Sequence, residues 1–542
     1  MSLIWIVVWM AAIGLAVLVH LAFMVRWPDH FVHEDSAAYL SEAQSILTGH
    51  YLDDPGRRPY GVAFFLVLLS KLFSPNILVF AAAQHVLSIV AALLIAAAVR
   101  FAGAPRVFSL LTFLLASLYA RTVHYDNFVG AETISVFLTS VSALIASGVV
   151  FRKWPPWPSA IGIGLSLGSV MLCRSASVGS AVIILVWIAM LLETNWIRRL
   201  AVPALAGGLA ALVYLTPACV NWVIGKHPAG NESVAVMEFV VGYSGDFDRG
   251  VHLDRKAQAR QYVNKMRAAY NPMMGWSDSG QAQWPFEATH LMLRPGDTDA
   301  DVAKLVRDIF VETLTTPSTL WYHVSRHLLP EMMFLLLDVS IPARHVASPE
   351  GYEFFVKRDA FPIFHSPTGL KPGTLISDHY SPPESLSWLL PSAQALQSTL
   401  DHLLQYGYLP RQDPAPLCCG LTISTEYDFD RGPIRWLSIS TLILLGILLI
   451  APFVGRSRRL PPLPGILAAG GWLMILLAVI NAAFPAFLVY GLNRYAYYVT
   501  PFMAGATGIF AAVLLDRIKL LSTRNIAGEP INGINKGAET VG

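Results

Sequence analysis

Charge is what this chain has least of. Only 14% of its 542 residues are Asp, Glu, Lys or Arg, whereas 54% are hydrophobic; a soluble protein carries about 25% charged residues. So little charge cannot keep an exposed surface in water, and the composition reads as an integral membrane protein. The net charge of +2 is small, and no basic stripe with interleaved aromatics occurs, so a nucleic-acid partner is excluded. Cysteine is scarce too. Cys173 lies in an apolar segment, Cys219 near the end of another, and Cys418 and Cys419 are adjacent, so no metal-ligand spacing exists among them. The chain has no P-loop, no H-E-x-x-H, no G-x-S-x-G and no complete Rossmann glycine fingerprint. It shows no internal repeat. The apolar N-terminus lacks a basic n-region and an A-x-A cleavage site, so Leu3 to Met24 is expected to be a retained membrane helix, not a removed signal.

What is present is a series of long apolar runs. A crossing helix needs about 20 apolar residues, which predicts ten spans, near 3–24, 77–99, 107–121, 133–151, 158–173, 178–194, 200–224, 435–454, 464–486 and 497–515. Pro59 to Phe73 is shorter and is expected to lie along the interface or dip into it. Arg100 and Arg106, Arg152 and Lys153, Arg198 and Arg199, Arg456, Arg458 and Arg459, and Arg517 with Lys519 all fall on one side under this count. By the positive-inside bias that side is the cytoplasm, and both termini share it. The expected architecture is therefore mainly α: a polytopic protein with an N-terminal transmembrane module at 1–225, whose first outer loop is 25–73. A polar periplasmic region follows at 226–434, then C-terminal membrane helices at 435–515 and a tail at 516–542. Ala303 to Leu314 and Leu320 to Leu337 carry apolar residues at helical spacing and predict amphipathic helices in that region.

The stretch from Trp27 to Phe73 concentrates polar chemistry between two apolar segments. His33, Glu34 and Asp35 follow the first span, and Asp53, Asp54, Arg57 and Arg58 surround a Pro/Gly turn. Asp35, Tyr39 and Ala43 recur at i, i+4 and i+8 and share one face of a short helix. Carboxylates there can deprotonate a hydroxyl or bind a metal, and a guanidinium can grip phosphate with two hydrogen bonds. The plain alternative is a solvated loop. A second polar patch lies between the third and fourth spans, where His124, Asp126 and Glu132 cluster on the same face. Glu132 opens a membrane helix, where a carboxylate also complements the helix dipole, and His124 has an ordinary reading as an interfacial histidine. Arg174 ends the fifth span, where snorkelling to water is the plain explanation. Arg494 lies on the outer side against the charge bias, and a lipid phosphate would be a suitable partner. His85, mid-span, is read as hydrogen-bonded between helices.

These residues resemble a family. D-x-x-x-Y-x-x-x-A at Asp35, Tyr39 and Ala43, then R-x-P-x-G at Arg57, Pro59 and Gly61, is similar to the first periplasmic loop of the GT-C glycosyltransferases. The nearest branch uses polyprenyl-phosphate sugars and includes the lipid A aminoarabinose transferases and the protein O-mannosyltransferases. Glu132 stands where that family carries a second acidic residue ahead of a Phe-Leu pair, here Phe137-Leu138. Arg494-Tyr495 with Pro501 matches the stretch before the last helix, while Ser175 replaces the proline that often follows the arginine at Arg174. The resemblance covers roughly the first third of the chain and a short patch near its end.

The resemblance implies an inverting transferase in the bacterial inner membrane with its active site facing the periplasm. The donor would be a polyprenyl-phosphate-linked sugar, and the acceptor an envelope glycan, lipid or protein. Asp35 would be the general base, with Glu34, Glu132 and Asp126 as further acidic candidates that could hold the acceptor, tune Asp35 or share a divalent cation. Arg58, with Arg57, Arg174 and Arg494, would bind phosphate, and Tyr39 and His124 would line the site. A required metal is not implied, because members of the family differ. The rival class is a transporter or flippase for a lipid-linked or anionic solute, with the same charges lining a pathway. Scarce mid-span charges and the lack of matched broken helices weigh against it. A non-catalytic membrane scaffold is a third reading.

Overall fold

The computed structural model describes residues 3–26, 34–49, 59–119, 129–192, 195–223, 314–329, 465–488 and 496–526, with isolated positions between them that include Val123, Asp126, Met332 and Leu336. The architecture is mainly α. In chain order the helices are α1 (Leu3–Arg26), α2 (Glu34–Leu47), α3 (Gly61–Leu72), α4 (Ile77–Phe101), α5 (Arg106–Ser117), α6 (Glu132–Arg152), α7 (Pro156–Cys173), α8 (Val178–Leu191), α9 (Trp196–Val223), α10 (Pro317–His323), α11 (Gly465–Leu488) and α12 (Ala496–Ile526). A two-residue antiparallel pairing, Ala415 with Ile423 and Pro416 with Thr422, also occurs among the described residues.

Six of these segments are long and apolar enough to cross a membrane: Leu3–Ala22, Leu78–Phe101, Glu132–Arg152, Pro156–Cys173, Trp196–Val220 and Tyr498–Asp516. The expected spans at 107–121, 178–194 and 464–486 coincide with the shorter apolar helices Arg106–Ser117, Ser175–Leu191 and Ala469–Ala483. The expected span at 435–454 lies almost wholly outside the described residues. By length and composition, then, six crossings stand among the described residues. Pro59 to Phe73 forms α3, short and apolar as its sequence predicts.

With lipid as solvent, helices associate through close fit and interhelical hydrogen bonds. Gly164 and Gly168, one turn apart on α7, meet α9 so closely that an added Cβ would sit 2.7 Å from the Ala206 carbonyl oxygen and 2.5 Å from Val213. Hydroxyls and ring nitrogens tie other helices together. Ser142 and Ser166 join α6 to α7 at 2.6 Å, and Trp187 Nε1 donates from α8 to the Ala469 carbonyl of α11 at 3.0 Å. The main core is built from α4, α6, α7, α8, α9, α11 and α12. Leu328, Met332 and Leu336, from within the long 226–434 segment, pack against that core at helical spacing. Apart from 314–329 and isolated positions, the rest of that segment, including most of Ala303 to Leu314, lies outside the described residues.

The bundle has two chemically different ends. Arg100, Arg152 and Arg199 gather at one, around the turns that join α4 to α5, α6 to α7 and α8 to α9. Arg152 reaches the Arg100 carbonyl there at 3.0 Å. Gly103, at φ 97°, takes the left-handed conformation that lets α4 turn tightly into α5. The other end holds α2, the approach to α6 and the Arg174 end of α7.

Candidate functional site

The opposite end is built from apolar contacts upward. Tyr39, Leu40 and Ala43 of α2 share one buried cluster with Val62, Ala63 and Leu66 of α3, Phe80 and Ala81 of α4, Val129, Ala131 and Ile134 at the start of α6, and Cys173 at the end of α7. Tyr39 and Ala43 are one turn apart on one face of α2, as their spacing predicts, and both are buried. Glu42, on the same helix, is also buried at 7% exposure. At the start of α3 the approach is tighter still: a Cβ on Gly61 would lie 2.6 Å from the Cys173 backbone nitrogen and 2.7 Å from its Sγ. Only a residue without a Cβ fits there, so the return of the first loop is seated directly on the end of α7.

Three polar side chains from distant parts of the chain meet beside this cluster. His20 Nε2 lies 3.0 Å from the Ser117 carbonyl, in the last turn of α5. A carbonyl only accepts, so His20 Nε2 carries the hydrogen, and Nδ1 of the neutral ring turns a lone pair inward. That Nδ1 is 2.8 Å from His85 Nδ1 on α4, which makes His85 the interhelical hydrogen-bond partner its sequence position suggests. Asp126 Oδ2 stands 3.7 Å from His20 Nδ1 and 3.9 Å from His85 Nδ1. The carboxylate is held from behind, where Thr133 Oγ1 donates to Asp126 Oδ1 at 2.6 Å. Gln84 fixes the loop, donating from Nε2 to the Asp126 carbonyl at 2.9 Å and accepting from the Gly130 amide at 3.3 Å. Exposure at His20, His85 and Asp126 is 2%, 3% and 0%. These three are the described residues whose donor atoms converge closely enough to hold a metal ion.

Arg174 leaves α7 in extended backbone and sets its guanidinium carbon 3.6 Å from the centroid of the Tyr498 ring, on α12. Such stacking suits a planar cation over an aromatic face. It also ties the end of α7 to the helix that begins just after Arg494. Glu132 is the first residue of α6 and is half-buried.

The structure thus brings α2, the Asp126–Glu132 approach to α6, Arg174 and the start of α12 to one end of the bundle. Asp35 and Glu34 open α2 at that end, with only their backbone described. His124, Arg57, Arg58 and Arg494, with His33, Asp53 and Asp54, lie outside the described residues. Sequence reasoning missed His20, Gln84, Thr133 and Glu42. A histidine inside an otherwise apolar 24-residue helix was the available signal for His20, since intramembrane ionisable groups mark sites by default.

No protein-family model matches the chain, and no curated protein does. Among solved structures, it is similar to the oligosaccharyltransferase AglB from Archaeoglobus fulgidus, solved with an inhibitory peptide and a dolichol-phosphate. That match has a TM-score of 0.42 at 12% identity and covers 97% of this chain and 52% of that one. The A. fulgidus oligosaccharyltransferase tethered to an acceptor peptide through a disulfide gives a TM-score of 0.41 at 12% identity, with 96% and 52% covered. Its apo form gives 0.40 at 12%, with 97% and 52% covered. The chain spans about half the length of these proteins. Likeness at that level assigns no activity.

Proposed function

We propose that this membrane protein is a GT-C-type glycosyltransferase that moves a monosaccharide from a polyprenyl-phosphate donor to an envelope glycan, lipid or protein. The reaction takes place on the periplasmic side of a bacterial inner membrane, with both termini cytoplasmic. One observation carries the reading: the acidic helix α2, the start of α6 at Glu132 and the arginine at the end of α7 share one end of the bundle, around the cluster of Tyr39, Ala131, Ile134 and Cys173. A transferase of this kind needs a base for the acceptor hydroxyl and cations for the leaving phosphate in one place.

Asp35, in the first turn of α2, takes the acceptor proton as the hydroxyl oxygen attacks the anomeric carbon in line with the departing polyprenyl phosphate. Glu34 and Glu132 hold or orient the acceptor. Asp126 is fully buried and faces Thr133 and two imidazoles, so in this reading it braces the approach to Glu132 and does not touch substrate. Tyr39 does the same for α2 from the buried face. Arg58 and Arg57 neutralise phosphate charge as it develops, helped by Arg174 and Arg494, and His124 lines the same mouth. The transporter reading gains one observation, the intramembrane His20, His85 and Asp126. Those groups are sealed from solvent, however, which suits a fixed site better than a route.

The test is turnover of purified protein with a polyprenyl-phosphate sugar and candidate acceptors. Asp35→Asn keeps the shape but cannot take the proton, so the rate should fall by about 10²–10⁴-fold with donor binding retained. A rate within a few-fold of wild type removes Asp35 from the mechanism. Solute movement without a new glycosidic bond would favour the transporter.

A further inference from the structure

We propose that His20 Nδ1, His85 Nδ1 and Asp126 Oδ2 form a three-ligand site for a divalent transition metal of the zinc class, which pins α1 to the rest of the bundle. The proposal takes Asp126 as a ligand and uses none of Asp35, Glu34, Glu132 or the arginines of the glycosyltransferase reading.

The geometry fits without rearrangement of the backbone. Separations of 2.8, 3.7 and 3.9 Å place the three atoms on a circle of radius about 2 Å, and zinc bonds to imidazole and carboxylate are roughly 2.0–2.2 Å long. An ion near the centre of that circle would reach all three at bonding distance. Each ring would present its Nδ1 lone pair. His20 is already set to do so, because its Nε2–H is committed to the Ser117 carbonyl at 3.0 Å. His85 would carry its hydrogen on Nε2. The carboxylate is oriented by the Thr133 hydroxyl at 2.6 Å, so His20 and Asp126 carry the outer hydrogen bonds that hold metal ligands in place.

Donor chemistry narrows the ion to first-row divalent metals. Two imidazoles and one carboxylate, with no thiolate, suit zinc, iron(II), cobalt or nickel. Calcium needs six to eight oxygens, and magnesium keeps several waters around near-octahedral oxygen ligands; neither matches a nitrogen-rich site this deeply buried. Burial argues the same way. A carboxylate shut away beside two imidazoles loses its hydration, and a doubly charged cation compensates it better than a shared hydrogen does.

The placement explains what such an ion would do. Only 17% of the α1 span is buried, against 50% for α4 and 61% for α6, so α1 has less apolar contact to hold its register than its neighbours. His20 lies in its last two turns, just before the first loop. A bond from α1 to His85 of α4 and to the loop before α6 fixes the point from which α2 departs.

The experiment is metal analysis of the full-length protein, isolated in mild detergent through an affinity tag without histidines. Plasma mass spectrometry should find about one equivalent of a zinc-class metal per chain after exposure to a weak chelator, as for a preformed buried site. His20→Gln and His85→Gln should each lower it to less than about a fifth, whereas Cys173→Ser, which removes the nearby buried thiol, should leave it unchanged. Wild-type protein that holds less than about a tenth of an equivalent, both as isolated and after incubation with zinc, overturns the proposal. So does equal metal in wild type and both histidine variants. If the variants do not fold, wild type stripped with a strong chelator and refilled with cobalt decides. Visible absorption of a low-coordinate cobalt site supports the ion, and a spectrum identical to free cobalt overturns it.

Discussion

At the end of the bundle where α4 and α6 finish, three arginines, Arg100, Arg152 and Arg199, are occupied with helix ends. Arg152 Nη2 donates to the Arg100 carbonyl at 3.0 Å, Arg100 Nη1 to the Ala104 carbonyl at 2.9 Å, and Arg199 Nε to the Leu192 carbonyl at 3.0 Å. Arg152 also rests over the Phe101 ring, 5.6 Å from its centroid. These carbonyls belong to the ends of α4 and α8 and the turn after α4, and cations there both fill empty acceptors and oppose the helix dipole. At the other end the polar groups face one another. His20 meets His85 across 65 residues, Thr133 holds the Asp126 carboxylate, and Arg174 stacks on Tyr498. Helix-end roles there cover only the His20 bond to the Ser117 carbonyl and Glu132 at the start of α6. The contrast separates cations that close helix ends from groups whose polar partners are one another.

The widest difference between the two ends should appear in binding of polyprenyl phosphate, titrated in nanodiscs. Arg58→Ala should weaken it by roughly ten- to a hundred-fold, the cost of a lost hydrogen bond to a charged group at about 1.5–3 kcal/mol. Arg58→Lys keeps the charge without the two-pronged geometry and should fall between Ala and wild type. Arg152→Ala, at the end where α4 and α6 finish, should bind like wild type. Equal affinity in Arg58→Ala and Arg152→Ala moves the phosphate site to Arg174 and Arg494. A smaller effect is expected from Gly61→Ala. Its new Cβ would sit 2.6 Å from the Cys173 backbone nitrogen, and relief requires α3 or the end of α7 to move, at about 1–3 kcal/mol for an overpacked contact. Melting temperature and turnover should both drop. If neither changes, the seat of the first loop on α7 is softer than its geometry indicates.

Much of this was legible in the sequence, and the parts that were not share a cause. The α2 face of Tyr39 and Ala43, the apolar α3 after Pro59 and the start of α6 at Glu132 all follow from spacing within a dozen residues, where helical period and apolar length decide. The Arg174 helix end was legible for the same reason. The His20–His85 contact was not, because it depends on how far α1 slides along α4, and no local pattern encodes that register. Glu42 is an acidic residue on a helix that opens with Glu34 and Asp35, and its burial follows only from what α2 packs on. The apolar spacing of Leu328, Met332 and Leu336 predicted a helix face. That this face meets the transmembrane core is a tertiary fact. The six long helices were found by hydropathy, whereas shorter ones such as α5 and α8 are carried by their neighbours and fall below what composition alone can establish.

The smallest effect concerns the basic end itself. Arg152 donates to the carbonyl of a neighbouring turn and lies over Phe101, and Phe101 in turn meets Trp154 edge-on, with ring centroids 5.4 Å apart. The packing of Phe101 on Trp154 does not need the guanidinium. Arg152 sits at the edge of the bundle, where water or headgroups can replace its hydrogen bond to the Arg100 carbonyl, so its removal costs less than the same loss in a sealed interior. Exposed charged contacts contribute about 0–1 kcal/mol, which sets the scale for Arg152→Ala. The variant should therefore melt only slightly below wild type and transfer sugar at a rate within about twofold of it. The result that would break the comparison is a large loss of turnover in Arg152→Ala with donor affinity unchanged. That would mean the two ends are mechanically coupled through α6, with Glu132 at one terminus responding to Arg152 at the other. An unchanged rate keeps the basic end as the part that orients the bundle, and leaves the chemistry to the end where α2, α6 and α7 meet.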